Sequence, residues 1–403
     1  MRTKSILSLG IAVLLFSATF AQQKNSFKPQ KALLNTIARN LKDADAQYKY
    51  MATLLKPEEF PKAFHPETGK LETSNSGWWC SGFYPGTLLE LYRQNHDGAL
   101  KTEADRIMQV LAKEQYNTHT HDLGFMMYCS FGTANQLEPT PEYKQILLNS
   151  AKSLSTRFNP KVGCIKSWDS KPSDFLVIID NMMNLELLFW ATRETGDSSF
   201  YKLAVTHANT TIKNHYRPDY SSYHVINYNP ETGDVQDKRT AQGYAKESAW
   251  ARGQAWGLYG FTVVYRETKD KKYLDQANGI ARFLLNNPNL PADKIPYWDF
   301  NAPNIPNALR DASAAAITAS ALLELCRYAD KADGQKYFKT AETIIKNLSS
   351  PTYRSKPNTN GGFILQHSVG HFPAGTEIDV PLTYADYYFV EAMERYKEFA
   401  KLK

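Results

Sequence analysis

Six stretches of this chain are apolar on nearly every helical face: SGFYPGTLLELY (81–92), DLGFMMYCSFG (122–132), DNMMNLELLFWA (180–191), SAWARGQAWGLYGFTVVY (248–265), DASAAAITASALLELCRY (311–328) and DVPLTYADYYFVEAMERY (379–396). A helix without a polar face must be covered on all sides, so each stretch needs neighbours. Between them run amphipathic helices marked by a large apolar residue followed four positions later by a small or apolar one. The pairs are Leu100/Ala104, Tyr143/Leu147, Phe200/Ala204, Tyr273/Ala277 and Tyr337/Ala341. Their steps of 43, 57, 73 and 64 residues are too irregular for a tight solenoid and suit helix pairs joined by unequal loops. RETGDSSFYKLA (193–204) and RETKDKKYLDQA (266–277) are near copies, each a charged turn opening an amphipathic helix. Six inner segments alternating with outer helices, closed by a first helix over about 30–55, predict an all-α (α/α)6 barrel, a six-hairpin toroid. An α-solenoid uses the same helices but ends in polar capping faces. Strand-like text is short, and the pieces at 221–233 and 361–367 are predicted as hairpins on the loop face.

The first residues read as an export signal: Arg2 and Lys4, then an apolar run from Ile6 to Phe16, with Thr19 and Ala21 at the cleavage positions. Residues 1–21 are therefore expected to be removed, leaving 22–403 as one barrel domain in the periplasm. No later run is long enough to span a membrane. A formal charge of +6 over 403 residues, without a basic run, leaves no nucleic-acid footprint. The four cysteines (Cys80, Cys129, Cys164, Cys326) are widely spaced and form no metal-binding pattern. They read as buried thiols, with a disulfide the alternative in an oxidising compartment. The 24 Tyr, 20 Phe and 7 Trp suit a protein that stacks on sugar faces, although large cores also use them.

In such a ring the functional groups belong where apolar inner helices begin. Asp180 follows the apolar run at Ile178 and Ile179, and Asp122 opens the segment one hairpin earlier. Each is either a helix N-cap or a carboxyl group whose desolvation suits it to general acid work. If both face one cavity, they cannot both ionise freely, and their roles divide. Arg252 and Trp256 lie four apart, hence on one helical face. The arginine is either half of an internal ion pair or a ligand for an anionic or hydroxyl-rich molecule. Trp79, His121, Trp168, His224, Gln242 and the segment HSVGHFPAGTEID (367–379) fall in loops at the same end. No nucleotide, nucleophile-elbow or metal motif appears, so neither metal nor cofactor is expected.

Together these blocks resemble the unsaturated glucuronyl hydrolases, glycoside hydrolase family 88. The matching text is WWCSGFYPG (78–86), HDLGF (121–125), DNMMNLELLFWA (180–191), HVINYNPETG (224–233), QGYAKESAWARGQAWGLYG (242–260), YWDF (297–300) and DYYFVEAMERY (386–396). The resemblance implies an (α/α)6 barrel and a substrate carrying a 4,5-unsaturated uronate at its non-reducing end, as lyases leave it. It further implies that Asp180 protonates carbon 4 of the enol ether and then activates the water that adds at carbon 5. Asp122 is implied as the second carboxylate. Trp79, His121, Trp168, His224, Gln242, Arg252, Trp256 and Ser368 are implied as substrate contacts, with Trp79 and Trp256 as stacking platforms. The segment at 367–379 offers His367, Ser368 and His371 in place of a Lys/Arg cluster, so it does not mark the partner sugar as sulfated. Rival readings are an unsaturated rhamnogalacturonyl hydrolase, an inverting hydrolase of saturated sugars, a barrel lyase or epimerase, and a non-enzymatic glycan-binding protein.

Overall fold

A computed structural model describes residues 27–401, and the expected export signal lies outside them. The inner helices are α2 (Phe83–Asn95), α4 (Thr133–Leu137) extending a π-helical segment Gly124–Gly132, α6 (Leu185–Thr195), α8 (Ala251–Thr268), α10 (Ala312–Leu325) and α12 (Thr383–Lys401). The outer ones are α1 (Lys31–Leu54), α3 (Gly98–Leu111), α5 (Pro141–Ser155), α7 (Ser198–His215), α9 (Lys271–Asn286) and α11 (Lys331–Leu348). Burial follows the sequence pattern. Every residue of α10 is buried, as is every residue of α8 from Ala251 to Val264. The recurring apolar pairs put Leu100, Ala104, Phe200, Ala204, Tyr273, Ala277, Tyr337 and Ala341 into the core.

The first and last helices of the described residues close on each other, which separates the barrel from a solenoid. α12 packs against both α10 and α2, and α1 packs against α3 and α11. Polar bonds lock the seam: Asn40 Nδ2 donates to Ser349 Oγ at 2.7 Å, and Gln47 Nε2 donates to the Phe363 carbonyl at 2.7 Å.

The two rims differ for a local reason. Inner helices α2, α6 and α8 end on a left-handed residue (His96, Gly196, Lys269), and the next residue is an aspartate capping the following outer helix. Asp97, Asp197 and Asp270 accept from Ala99 N, Ser199 N and Lys272 N. An αL residue followed at once by an N-cap makes the shortest helix–helix turn, so this rim is tight. The opposite connections are long, and they carry all nine strands of the described residues. β1 (Phe60–His65) pairs with β2 (Lys70–Ser74), and β3 (Phe158–Asn159) with β4 (Cys164–Ile165). β5 (Phe175–Ile178), β6 (Val225–Tyr228) and β7 (Val235–Arg239) form an antiparallel sheet in that order, and β8 (Ser368–His371) pairs with β9 (Thr376–Val380).

One expectation needs correction here. The hairpin expected at 361–367 lies at 368–380, because Asn360–Gly362 forms a 3-10 turn with Gly361 and Gly362 at positive φ. The strand within 221–233 does form a hairpin, β6 turning through 229–234 into β7, and it also pairs with β5 as the centre of a three-stranded sheet. All four cysteines are free thiols, three of them buried. No helix among the described residues is long and apolar enough to cross a membrane.

Candidate active site

β5 is apolar throughout and buried, and its pairing with β6 sets Ile178 opposite Val225. The ladder continues one bond further, from Ile179 N to the His224 carbonyl at 3.0 Å. The chain then turns into a 3-10 segment, Ile179–Asn184, with Asp180 in its first turn. Strand pairing thus delivers Asp180 and His224 to the same place: His224 Nε2 lies 3.6 Å from Asp180 Oδ2.

Asn184, at the end of that turn, brings in the second carboxylate. Its Oδ1 accepts from Phe125 N at 3.0 Å and its Nδ2 donates to Asp122 Oδ1 at 3.4 Å. The approach requires Gly124, since a Cβ there would fall 2.4 Å from Asn184 Cα. Neither aspartate side chain caps a helix amide, so the capping alternative is not what the fold uses them for.

Both aspartates are buried, their side chains 12% exposed. Burial pushes Asp180 up to about 7; the nearby Arg252 charge opposes the rise and Asp122 adds to it. Burial likewise pushes Asp122 up to about 7 against the Asn184 hydrogen bond and the Arg157 charge. Asp180 Oδ2 is buried and has no hydrogen-bond partner, so no bond to a neighbour ties up its proton. His224 is held well below its usual range by burial and the Arg252 charge. Its Nδ1 accepts from the backbone N–H groups of Ala241 and Gln242, at 3.1 and 3.2 Å. The ring proton of the neutral imidazole therefore sits on Nε2, facing Asp180. His121 Nε2 is 3.3 Å from Asp122 Oδ1, and burial lowers this histidine to about 3, so it too is neutral.

The remaining sequence-predicted residues divide. Trp79 is half-buried against Phe83, Phe125 and Tyr384, and keeps an accessible part. Trp168 is half-buried, edge-on to His224. Gln242 Nε2 donates to the Gly370 carbonyl at 3.0 Å. Ser368 is fully buried with an unpartnered hydroxyl. Trp256 corrects the expectation of a stacking platform: it is fully buried against Phe125 and Tyr388, and it borders Asp180 through its indole. Arg252 takes the ion-pair alternative, since its guanidinium is 1% exposed. Nη1 bonds Asp311 Oδ2 at 3.2 Å and the Val369 carbonyl, and Nη2 bonds the Gly370 carbonyl at 2.6 Å. It ties β8 to α8 and lays a positive charge beside Asp180. Sequence reasoning missed Asn184 and Trp250, although both lie inside the quoted blocks; Trp250 packs on the His224 ring at 4.5 Å and under Arg252 at 4.6 Å. It also missed Tyr384, which packs on Trp79 with ring centroids 4.9 Å apart.

Such a site can donate a proton from a buried carboxylic acid, take one back from water, and exclude bulk solvent meanwhile. Among known proteins, the family described as Glycosyl Hydrolase Family 88 matches residues 56–401. An unsaturated glucuronyl hydrolase of Formosa agariphila is 42% identical over 95% of this chain and 96% of its own. An unsaturated chondroitin disaccharide hydrolase of Streptococcus pneumoniae is 32% identical, over 79% of this chain and 81% of its own. A solved unsaturated glucuronyl hydrolase specific for heparin superposes with a TM-score of 0.88 at 49% identity, covering 91% of this chain and 98% of that one.

Proposed function

The chain belongs to glycoside hydrolase family 88, and from that membership we propose that it removes the 4,5-unsaturated uronate from the non-reducing end of lyase-generated oligosaccharides. The observation that carries the reading is Asp180: a buried carboxyl with a free oxygen, held at about 7, with a second carboxylate and a neutral histidine beside it. A group that must give and then regain a proton works best with its pKa near the working pH.

In the proposed reaction Asp180 gives its proton to carbon 4 of the enol ether, and positive charge spreads over carbon 5 and the ring oxygen. The Asp180 carboxylate takes a proton from water as its oxygen bonds to carbon 5, so the residue ends as it began. The hemiketal then opens by cleavage of the carbon 5–ring oxygen bond. The resulting hemiacetal at carbon 1 releases the partner sugar as an alcohol. One water is consumed and no cofactor is needed. Asp122 steadies the developing charge, and the neutral His224 ring stands beside the reacting carboxyl, its Nε2 3.6 Å from Asp180 Oδ2. Trp79 offers a partly open indole to the sugar, with His121, Trp168 and Gln242 as further contacts, whereas Ser368, at 0% exposed, corrects the expectation of a contact. Arg252 acts through charge and through its hold on β8. Export by residues 1–21 and action in the periplasm belong to the same proposal.

Loss of the near-ultraviolet absorbance of unsaturated disaccharides, with saturated counterparts unchanged, is the expected result for the purified chain. Heparin- and chondroitin-derived disaccharides head the panel, because relatives named for those polymers are among the similar proteins. Activity on saturated sugars alone, or binding without turnover, contradicts the reading.

A further inference from the structure

Beside the site lies a groove of about 870 Å³ that the chemistry above does not use, a size within the roughly 300–1,000 Å³ of ligand clefts. It runs along the β1–β2 hairpin, and Trp78 lines it while remaining 41% exposed. The exposed part of an indole in a polar groove suits a pyranose ring. Trp78 immediately precedes Trp79, the half-open indole at the site.

A chain of direct contacts runs from groove to site. Lys62, 5.1 Å from the centre of the Trp78 ring, pairs with Glu377 at 3.3 Å. Glu377 in turn packs on Gly370 so closely that a Cβ there would fall 2.1 Å from its carboxylate. The Gly370 carbonyl accepts from Arg252 and Gln242. Charge then decides what the groove can take. Lys62 is held by Glu72 at 2.6 Å as well as by Glu377, and Lys56 by Glu59 at 3.1 Å. With Glu58 also in the lining, three lining carboxylates face two lysines that are already paired. The lining is therefore negative on balance and disfavours a sulfate or uronate, whereas neutral hydroxyls would find acceptors.

We infer that this groove is a distal subsite on the reducing side of the scissile bond, holding a neutral sugar beyond the second ring by stacking on Trp78. The inference rests on the proposed hydrolase activity. It makes chain length and charge part of specificity: neutral-tailed oligosaccharides gain from the groove, and chains with a uronate third ring do not.

The test compares Trp78→Ala with the unaltered protein on three substrates: an unsaturated disaccharide, an unsaturated tetrasaccharide with neutral third and fourth rings, and one with a uronate third ring. The expected result is a roughly 5- to 10-fold rise in KM for the neutral-tailed tetrasaccharide only, with kcat kept and Trp78→Phe recovering most of the loss. Equal KM for both proteins on that tetrasaccharide, or equal losses on the disaccharide, overturns the subsite. A larger loss on the uronate-tailed substrate overturns its neutral character. Failure of the unaltered protein on every unsaturated substrate would instead refute the activity itself.

Discussion

Replacing Arg252 with methionine separates the two roles an arginine beside a sugar site can have. The guanidinium is buried and bonds Asp311 and the carbonyls of Val369 and Gly370. Methionine keeps much of the apolar stem but takes the buried cation from Asp311 Oδ2, while Oδ1 keeps its bonds from Ser313; Asp311 is itself 0% exposed. Breaking a buried pair from one side costs roughly 3–5 kcal/mol. At about 2.1 cal/mol/K of melting entropy per residue, 1 kcal/mol shifts Tm by roughly 1.2 °C in a chain of this length. Arg252→Met should therefore melt roughly 4–6 °C lower. The same substitution removes a charge that holds Asp180 down, so the alkaline limb of kcat/KM should move to higher pH. Thermal melts and a pH–rate profile on an unsaturated disaccharide read both effects. An unchanged Tm together with a raised KM would refute the reasoning, because it would make Arg252 a substrate ligand and not the tie between α8 and β8.

Because Asp180 must be protonated to act, kcat/KM should fall as pH rises through about 7. Asp122→Asn removes a neighbouring charge that raises Asp180, so in that variant the fall should begin at lower pH, as a pH–rate profile would register. Asp180 sits at about 7 in the fold against an ordinary 3.8, so the native state binds the extra proton between these values and loses stability as pH rises across them. Asp180→Asn should accordingly be more stable than the unaltered protein at pH 8 by a few kcal/mol; the gain should vanish near pH 4, as paired thermal melts would show. With all four cysteines free, dithiothreitol should leave Tm unchanged, whereas a reductant-dependent drop would contradict the free-thiol assignment.

The barrel was legible because its signal is repeated: six segments without a polar face and a recurring apolar pair on the helices between them. The two aspartates were legible for the opposite reason, as charged groups where apolar helices begin. What escaped depends on contacts distant in sequence. Arg252 meets Asp311 from 59 residues away, so its choice between ion pair and ligand could not be read from SAWARGQAW. Trp256 needed Phe125 and Tyr388 in place before its face was covered. The hairpin boundaries slipped because His367, Glu377 and Asp379 adopt positive φ, a conformation that non-glycine residues do not advertise. Asn184, which ties Asp122 to the turn that carries Asp180, stood in plain view in DNMMN, but as an amide among apolar residues it carried no titratable signal.

Exchange of one oxygen for nitrogen, at Asp180, bears most closely on the account. The Asn variant should keep its fold and its affinity for an unsaturated disaccharide while bleaching of the chromophore slows by about 10²–10⁴-fold or more. An Asp180→Asn protein that consumes the double bond at the original rate would contradict the claim that this carboxyl delivers the proton.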